Sequence, residues 1–368
     1  MDTRSREELF QQAPVLAAPL LAWFAEARRA LPWRERYEPY AVWISEMMLQ
    51  QTQVETVLPY YRRWMERFPS VEAVAEAPLA DVLKLWEGLG YYSRARNLHR
   101  AAQVVMDQHG GTCPSTVEAL LELPGIGRYT AGAIASIAFN QPVPLVDGNV
   151  VRVLSRVFAV RESYKRPEGQ RLLWGLAEAA LPHDRPREFN EGLMELGALI
   201  CRPRAPNCLL CPWSAHCQAR ELGNPEAFPV REARKARPVR HGVLLLAQNG
   251  DALLVRQRPA DGLWGGMWEF PWIERTAKEP SDAAVQRLMG ELSLRGKVSP
   301  AEVGQVSHGL THFQLELACF TARFKTAKAP PPESAAKWVS PAELKALALG
   351  RFNHKALALL KASAKQDG

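Results

Sequence analysis

The stretch Leu123–Asn149, LPGIGRYTAGAIASIAFNQPVPLVDGN, carries more structural information than any other part of the chain. Pro124 ends one helix, and Gly125 and Gly127 allow a tight hairpin with backbone N–H groups exposed where the next helix begins. Such N–H groups bind phosphate. Asp147 then precedes an apolar-periodic helix. The stretch predicts a phosphate-binding hairpin followed by a carboxylate, although a tight turn and a helix cap would explain each feature alone.

Composition favours two folded domains and a polyanionic partner. The 368 residues are 47% apolar, which is enough for two independent cores. A net charge of +7 and a pI near 9.1 suit association with a polyanion and are also compatible with plain solubility. No run of about eighteen apolar residues predicts a membrane span, and Pro14 and Pro19 interrupt the N-terminal apolar segment, which is unlike a signal peptide.

The apolar spacing divides the chain into a mainly α domain, residues 1–220, and an α+β domain, residues 241–368. The helices predicted in the first domain are Leu16–Arg29, Ala41–Leu49, Thr52–Phe68, Val71–Ala75, Leu79–Leu85, Arg94–Gln108, Thr116–Leu121, Tyr129–Ala138, Val150–Phe158, Gly169–Ala180 and Glu188–Ile200. Residues 221–240 have little apolar periodicity and read as an interdomain linker. Its basic cluster is either a phosphate contact or a solvated segment: Arg231, Arg234, Lys235, Arg237 and Arg240.

The second domain opens with two apolar runs around Asn249-Gly250, the dipeptide typical of a tight hairpin. Two further strands are predicted at Gly304–Val306 and Thr311–Phe324, and two helices at Ser281–Leu292 and Pro341–Leu349. The domain is expected to end near Leu360.

Four of the six cysteines fall close together, as Cys201-x6-Cys208-x2-Cys211-x5-Cys217. Four thiolates at this spacing can surround one compact centre, which is either a [4Fe–4S] cluster or a tetrahedral zinc ion. The other two cysteines are most simply core residues.

A second candidate acid, Glu46, lies in the apolar helical segment YAVWISEMMLQQT. A lone acid in such a segment is either exposed or deliberately buried. Burial among Trp43, Met47 and Met48 would raise its pKa and keep it protonated, whereas a solvent-facing side chain is the simpler reading of the residues alone.

These motifs together carry a resemblance to known proteins. The cysteine spacing after a helical domain with LPGIG and VDGN resembles the endonuclease III superfamily of helix-hairpin-helix DNA glycosylases. Further motifs resemble the MutY family of adenine DNA glycosylases over nearly the whole chain: LPWR, SEMMLQQTQVETV, WEGLGYYSRARNLH and GLWGGMWEF. The resemblance implies a [4Fe–4S] cluster on the four cysteines, and a cluster loop whose arginines Arg202, Arg204 and Arg220 either meet DNA phosphates or are ordinary surface charges.

The resemblance also implies an activity, the removal of adenine mispaired with 8-oxoguanine or G in double-stranded DNA. It makes Glu46 the acid that protonates adenine and Asp147 the group that stabilises the cationic sugar, supported by Asn149 and Tyr129. Bifunctional members carry a lysine nucleophile where this chain has Tyr129, so we expect hydrolysis without efficient strand cleavage. We further expect a monomer in the cytoplasm, associated with the nucleoid.

The same mapping assigns residues that handle the DNA. Trp33, Arg34 and Glu191 match the pocket that receives adenine, although Trp33 could otherwise be a core aromatic and Glu191 a helix-surface charge. The positions matched to DNA binding are Gln51, Thr52, Leu89, Tyr91, Gly125 and Gly127. Gln51 and Tyr91 would act as wedges in the duplex, although a core tyrosine is an equally simple reading.

The second domain resembles a Nudix domain, but SDAAVQRLMGELSLRG lacks the paired glutamates of the Nudix metal-binding helix. We therefore expect recognition without hydrolysis. The family's Phe-Ser-His element aligns with Leu310-Thr311-His312, so Thr311 and His312 are the predicted 8-oxoguanine contacts, unless this segment is a strand that merely packs. Two alternatives remain for the whole chain: a bifunctional endonuclease III-like lyase, and a non-catalytic lesion-binding protein.

Overall fold

A computed structural model describes residues 6–230, 232, 236–276, 278–294, 300–324 and 328–366. The helices up to residue 221 are α1 (Arg6–Gln12), α2 (Ala17–Ala27), α3 (Pro39–Leu49), α4 (Val54–Arg67), α5 (Val71–Glu76), α6 (Leu79–Trp86), α7 (Ser93–His109), α8 (Val117–Leu121), α9 (Arg128–Ala133), α10 (Gly148–Val157), α11 (Pro167–Ala180), α12 (Pro186–Leu199) and α13 (Gln218–Glu221). The predicted mainly α architecture of this part of the chain is confirmed, with small shifts at helix ends.

The hairpin between α8 and α9 has the local chemistry expected of it. Gly125 has a φ of 81°, a conformation that a side chain disfavours, so glycine is required there. Gly127 has an ordinary φ of −99° and is the residue that precedes α9. The predicted helix Tyr129–Ala138 is only half right, because α9 ends at Ala133 and Ile134–Ala138 forms a π-helical turn.

The second half of the chain is α+β, as predicted. Its elements are β1 (Val239–Asn249), β2 (Ala252–Gln257), β3 (Trp268–Glu269), β4 (Trp272–Glu274), α14 (Ser281–Glu291), β5 (Ala301–Gly309), β6 (Gln314–Phe324), β7 (Ala336–Val339), α15 (Pro341–Ala346) and α16 (Arg351–Gln366). The strands form one seven-stranded sheet of order β3-β2-β1-β6-β5, with β4 also paired to β1 and β7 to β2. The β1–β6 pair is parallel, and the other pairs are antiparallel.

Three predictions in this half are corrected. Strand β6 begins at Gln314 rather than at residue 311, because the Leu310 N–H bonds to the Phe313 carbonyl at 2.9 Å and closes a turn there. The helix predicted to end at Leu349 is α15, which ends at Ala346. The domain does not end near Leu360, because α16 continues to Gln366. Short strands β3, β4 and β7 were not predicted.

The structure separates into two compact units. One comprises Met1–Glu76 and Arg100–Arg234, and the other comprises Ala77–His99 and Lys235–Gly368. The predicted boundaries at 220 and 241 differ from this division, since residues 77–99 group with the C-terminal part of the chain. The predicted linker is also partly structured, because Phe228 is buried and β1 already begins at Val239. Within that predicted linker, Arg231, Arg234 and Lys235 lie outside the described residues.

Each unit has its own core. In the first, apolar faces of α2, α10, α11 and α12 meet around buried side chains such as Leu154, Leu173, Phe189 and Trp213. In the second, α14 covers the sheet, and Val243, Leu245, Leu288 and Phe320 are buried between them. Within the described residues, no helix is both long enough and apolar enough to traverse a bilayer.

Candidate active site

A pocket of about 700 Å³ in the first unit collects the predicted catalytic side chains. Glu46 comes from α3, Tyr129 from α9, Asp147 from the start of α10 and Glu191 from α12. Four helical segments that are distant from one another in sequence therefore converge on one cavity. The other lining residues include Arg29, Trp33, Arg34, Gln51, Thr52, Glu55, Asn149, Arg152, Met194 and Glu195.

Glu46 is buried, with only 3% of its surface exposed, so the solvent-facing reading of this residue is wrong. Its helix is apolar on all sides, and Trp43, Met47 and Met48 are buried with it. The pKa of Glu46 is raised to about 7, mainly by burial; the nearby charge of Asp147 adds to the rise, and a hydrogen bond that the Tyr129 hydroxyl donates to Oε2 opposes it. Near neutral pH this carboxyl group therefore holds a proton that it can donate.

Asp147 lies at the N-cap of α10, as the helix-cap reading expects, and it also lines the pocket. Its Oδ1 accepts from the Val150 N–H at 2.7 Å, and its Oδ2 accepts from Asn149 Nδ2 at 3.0 Å. Burial raises the pKa of Asp147, and these two donors together with Arg152 oppose that rise because they favour the ionised form. The pocket thus holds two carboxyl groups in unlike surroundings, one mainly apolar and one supplied with donors.

Asn149 is itself held in place. Its Oδ1 accepts from Arg152 Nη2 at 2.8 Å, and the same guanidinium donates to the carbonyls of Gly197 at 2.7 Å and Cys201 at 2.7 Å. A Cβ on Gly197 would come within 2.6 Å of the Asn149 Cβ, so only glycine leaves room for this arrangement. The orientation of the amide toward Asp147 therefore depends on α10 and α12 together.

The predicted adenine pocket forms a charged network at one side of the cavity. Arg34 Nε donates to Glu191 Oε1 at 2.8 Å, and Tyr37 donates its hydroxyl to Glu191 Oε2 at 2.8 Å. Both Arg34 and Glu191 are buried, so the surface-charge reading of Glu191 is wrong. Trp33 is also buried, lines the pocket and packs edge-on against Tyr61, with ring centroids 5.1 Å apart.

The sequence reasoning missed several members of this network. Glu195 accepts from Arg34 Nη2 at 3.2 Å and from Arg29 Nε at 2.8 Å. Glu195 follows Glu191 by one helical turn on α12, and this i,i+4 spacing is the signal that could have indicated a second inward carboxylate. Tyr37 and Arg29 carried no comparable signal, since each bonds to a carboxylate more than 150 residues away; Arg152 also carried none, although one of its partners, Asn149, is close in sequence.

Among the predicted DNA-contacting residues of the first unit, Gln51, Gly125 and Gly127 are exposed and Thr52 is half-buried. Gln51 and Thr52 line the pocket entrance after α3, and Gln51 has a φ of 58°, which is uncommon for a residue with a side chain. Gly125 and Gly127 lie in the hairpin, and a Cβ on Gly127 would meet nothing within 4 Å. The hairpin backbone is thus sterically open on this side.

In the second unit, two predicted DNA-contacting residues come together. Tyr91 has a φ of 48° and is 47% exposed, so the core reading of this tyrosine is wrong. Its hydroxyl lies 3.5 Å from Thr311 Oγ1. Thr311 and His312 are exposed in the turn between β5 and β6, and the reading of this segment as a packing strand is wrong. Leu89, by contrast, is buried and presents little surface to a ligand.

The four clustered cysteines, Cys201, Cys208, Cys211 and Cys217, line one cavity next to α10. The pKa of Cys211 is raised to about 12, mainly by burial and also by the neighbouring thiols; burial also raises the pKa of Cys217. The cavity is also lined by valine and proline side chains. Four thiols in such surroundings suit a metal-containing group, whose positive charge would stabilise the thiolate form. Within the described ranges, no three His, Cys, Asp or Glu side chains are grouped as ligands of a metal ion.

Comparison with known families agrees with this geometry. Residues 44–179 match a family described as "HhH-GPD superfamily base excision DNA repair protein", and residues 242–359 match the NUDIX domain family. The first match contains Glu46, Tyr129 and Asp147. Fold and site together define the class: a helix-hairpin-helix base-excision glycosylase unit joined to a Nudix-like unit.

Proteins of similar sequence show which family within this class the chain belongs to. The chain is 39% identical over 355 residues to the adenine DNA glycosylase of Homo sapiens, an alignment that covers 80% of this chain and 64% of the human protein. It is 37% identical to the adenine DNA glycosylase of Rattus norvegicus, covering 80% of this chain and 68% of that protein. A thermostable thymine-DNA glycosylase structure, 32% identical with a TM-score of 0.53, matches 59% of this chain and 98% of that one. The chain belongs to the adenine DNA glycosylase family of enzymes.

Proposed function

We propose that this chain hydrolyses the N-glycosidic bond of adenine mispaired with 8-oxoguanine, or with G, in double-stranded DNA. The observation that carries the proposal is the pairing, in one pocket, of a buried proton-holding carboxyl at Glu46 with a donor-rich carboxylate at Asp147. A base in the stack cannot reach such a pocket, so the adenine must be flipped out of the duplex. The chain acts as a monomer in the cytoplasm, at the nucleoid.

In the proposed mechanism, Glu46 donates its proton to a ring nitrogen of the flipped adenine and makes the base a better leaving group. As the bond breaks, the sugar becomes cationic, and Asp147 stabilises it at short range until water attacks. The two donors on Asp147 favour its ionised form and oppose the burial that raises its pKa. Glu191 and Arg34 hold a fixed set of acceptors and donors at the side of the pocket where the base would bind.

Tyr129 stands where a lyase would need a lysine nucleophile. Its hydroxyl bonds to Glu46 and lies 3.7 Å from Met194 Sδ, so it orients the acid. A phenol cannot form a Schiff base with the sugar, and this supports excision without β-elimination of the strand. Borohydride in the presence of substrate should therefore trap no protein–DNA adduct; a trapped adduct would instead support the lyase alternative.

The four cysteines fit a [4Fe–4S] cluster as the resident cofactor, held by Cys201, Cys208, Cys211 and Cys217. Bound there, the cluster would cross-link the loop that follows α12 and leave the hydrolysis to the pocket. Purified protein should then absorb near about 400 nm and contain iron and sulfide. Colourless protein with stoichiometric zinc would contradict the cofactor proposal and leave the glycosylase proposal untouched.

Single-turnover cleavage tests the reaction. Duplexes containing A opposite 8-oxoguanine, A opposite G and A opposite T should be processed in that order of decreasing rate. Glu46→Gln and Asp147→Asn should each lose at least about a hundredfold in rate while retaining DNA binding, as expected for groups that act in the transition state. Glu66→Gln, on the exposed face of α4, is the matched control. Full activity of Asp147→Asn would rule out the charge-stabilising role, and binding without any turnover of wild-type protein would favour a non-catalytic lesion-binding protein.

Recognition of 8-oxoguanine is proposed for the turn that carries Thr311 and His312, next to Tyr91. The hydroxyls of Tyr91 and Thr311 are close enough to share one proton donor or acceptor of a ligand. Thr311→Val should lower the rate on A opposite 8-oxoguanine and leave the rate on A opposite G unchanged, whereas Thr311→Ser, which keeps the hydroxyl, should resemble wild type. An equal loss on both substrates would assign the residue a structural role.

A further inference from the structure

Arg156, on α10, is a buried cation of the first unit, with 2% exposure. Its guanidinium donates to three backbone carbonyls: Phe228 at 3.1 Å, Arg202 at 2.7 Å and Pro203 at 3.2 Å. Its Nη1 also donates to Cys201 Sγ at 3.3 Å. No carboxylate is bonded to it among the described residues, so its positive charge is turned toward the cysteine cavity, which it also lines.

A buried cation without a carboxylate partner needs a negative group nearby. Four thiolates around a [4Fe–4S] core supply such a group, since the assembly carries net negative charge in its reduced and its oxidised form. A cation and an N–H···S hydrogen bond at one thiolate stabilise the more negative, reduced form more strongly. The same hydrogen bonds hold residues 201–203, where the cluster loop begins, against α10.

We infer that Arg156 is a positioning residue that raises the reduction potential of the cluster and thereby protects it from oxidative loss. This inference rests on the cofactor proposed above. The step concerned is the transfer of one electron from the cluster, which passes from the 2+ to the 3+ state, to an oxidant such as ferricyanide, which becomes ferrocyanide. No proton or ligand is transferred in that step, and the hydrogen bond from Arg156 to Cys201 makes it less favourable.

The test compares holoprotein of the wild type, Arg156→Gln, Arg156→Lys and Arg204→Gln. Arg204 is exposed in the same loop, so its replacement removes an equal charge without touching the cavity. Iron and sulfide content, the absorption at about 400 nm during ferricyanide titration, and the potential of the 3+/2+ couple are measured. In Arg156→Gln the equilibrium should move about tenfold toward the oxidised cluster, which is about 59 mV for one electron, and bleaching should accelerate.

Arg204→Gln should behave as wild type, and Arg156→Lys, which keeps the charge but not the fork of donors, should lie between. An unchanged potential in cluster-bearing Arg156→Gln would overturn the inference. If that variant fails to keep its cluster, the potential of Arg156→Lys decides, and loss of the cluster in both would reduce Arg156 to a folding residue. A wild-type protein without iron would refute the cofactor proposal itself, before any variant is compared.

Discussion

Replacing Glu46 by glutamine should make the protein more stable while it removes the activity. In the folded state burial raises the pKa of this carboxyl from 4.5 to about 7. Between these two values the folded state holds a proton that the unfolded state has released, so the wild type loses stability as the pH rises through this window. Above about 7 both states are ionised, and the loss is complete. Glutamine cannot ionise, so the Glu46→Gln variant does not undergo this pH-dependent loss of stability.

The magnitude follows from the size of the shift. A rise from 4.5 to about 7, at about 1.36 kcal/mol per unit, corresponds to about 3 kcal/mol. The two proteins should therefore be nearly equal in stability below about pH 4.5, and Glu46→Gln should gain steadily to a plateau of about 3 kcal/mol above about pH 7. Glutamine has nearly the same volume and keeps an oxygen that can accept from Tyr129, so little packing is lost.

Thermal unfolding of the holoprotein at several pH values measures this difference. For a unit of this size 1 kcal/mol moves Tm by roughly 2–4 °C, so at pH 8 the variant should melt about 6–12 °C higher than wild type. Glu66→Gln, exposed on α4, should show no such pH-dependent gain. A variant that is less stable at every pH, or whose difference from wild type does not change with pH, would mean that Glu46 is not a buried proton-holding acid.

Three further outcomes follow from the same pocket. The single-turnover rate should fall about tenfold per pH unit above about 7, as Glu46 loses its proton, which a pH–rate profile measures. Tyr129→Phe removes a hydrogen bond that lowers the pKa of Glu46, so the descending limb of that profile should move to higher pH; a limb that stays in place would refute the contact. Gly197→Ala should cost about tenfold or more in rate by displacing Asn149, and Gly290→Ala on α14, where a Cβ meets nothing within 4 Å, should cost nothing in the same assay.

The predicted helices were accurate where an apolar stripe met a strong boundary signal. Pro124 with Gly125 separated α8 from α9, and Asp147 marked the start of α10. Elements of two to four residues, such as β3 and β7, offer too few positions for a period to be visible. The strand predicted from Thr311 failed because the turn at 310–313 has no glycine or proline to mark it.

Several residues that line the pocket, such as Glu46, Tyr129 and Asp147, were predictable from the sequence, but their arrangement was not. The sequence pattern alone did not decide whether Glu46 is exposed or buried. A single polar side chain on an apolar helix can point either into solvent or into a cavity. The network of Arg29, Arg34 and Glu195 joins segments that are more than 150 residues apart, so no local sequence pattern predicts it. Residues 77–99, which read as part of the helical domain, group with the C-terminal unit for the same reason.

The proposed division of roles between the two carboxyl groups would be set by backbone position rather than by residue type. Glu46 lies in the interior of α3, where every backbone N–H is already bonded within the helix and cannot stabilise a charge. Asp147 lies at the start of α10, where N–H groups without a helical carbonyl partner can bond to its carboxylate and the helix dipole favours the anion. Exchanging the acids, Glu46→Asp with Asp147→Glu, should therefore not exchange their roles: the residue at position 147 should remain the ionised one. Carboxyl titration by infrared difference spectroscopy can check this, and a lower pKa at position 46 than at 147 would refute it.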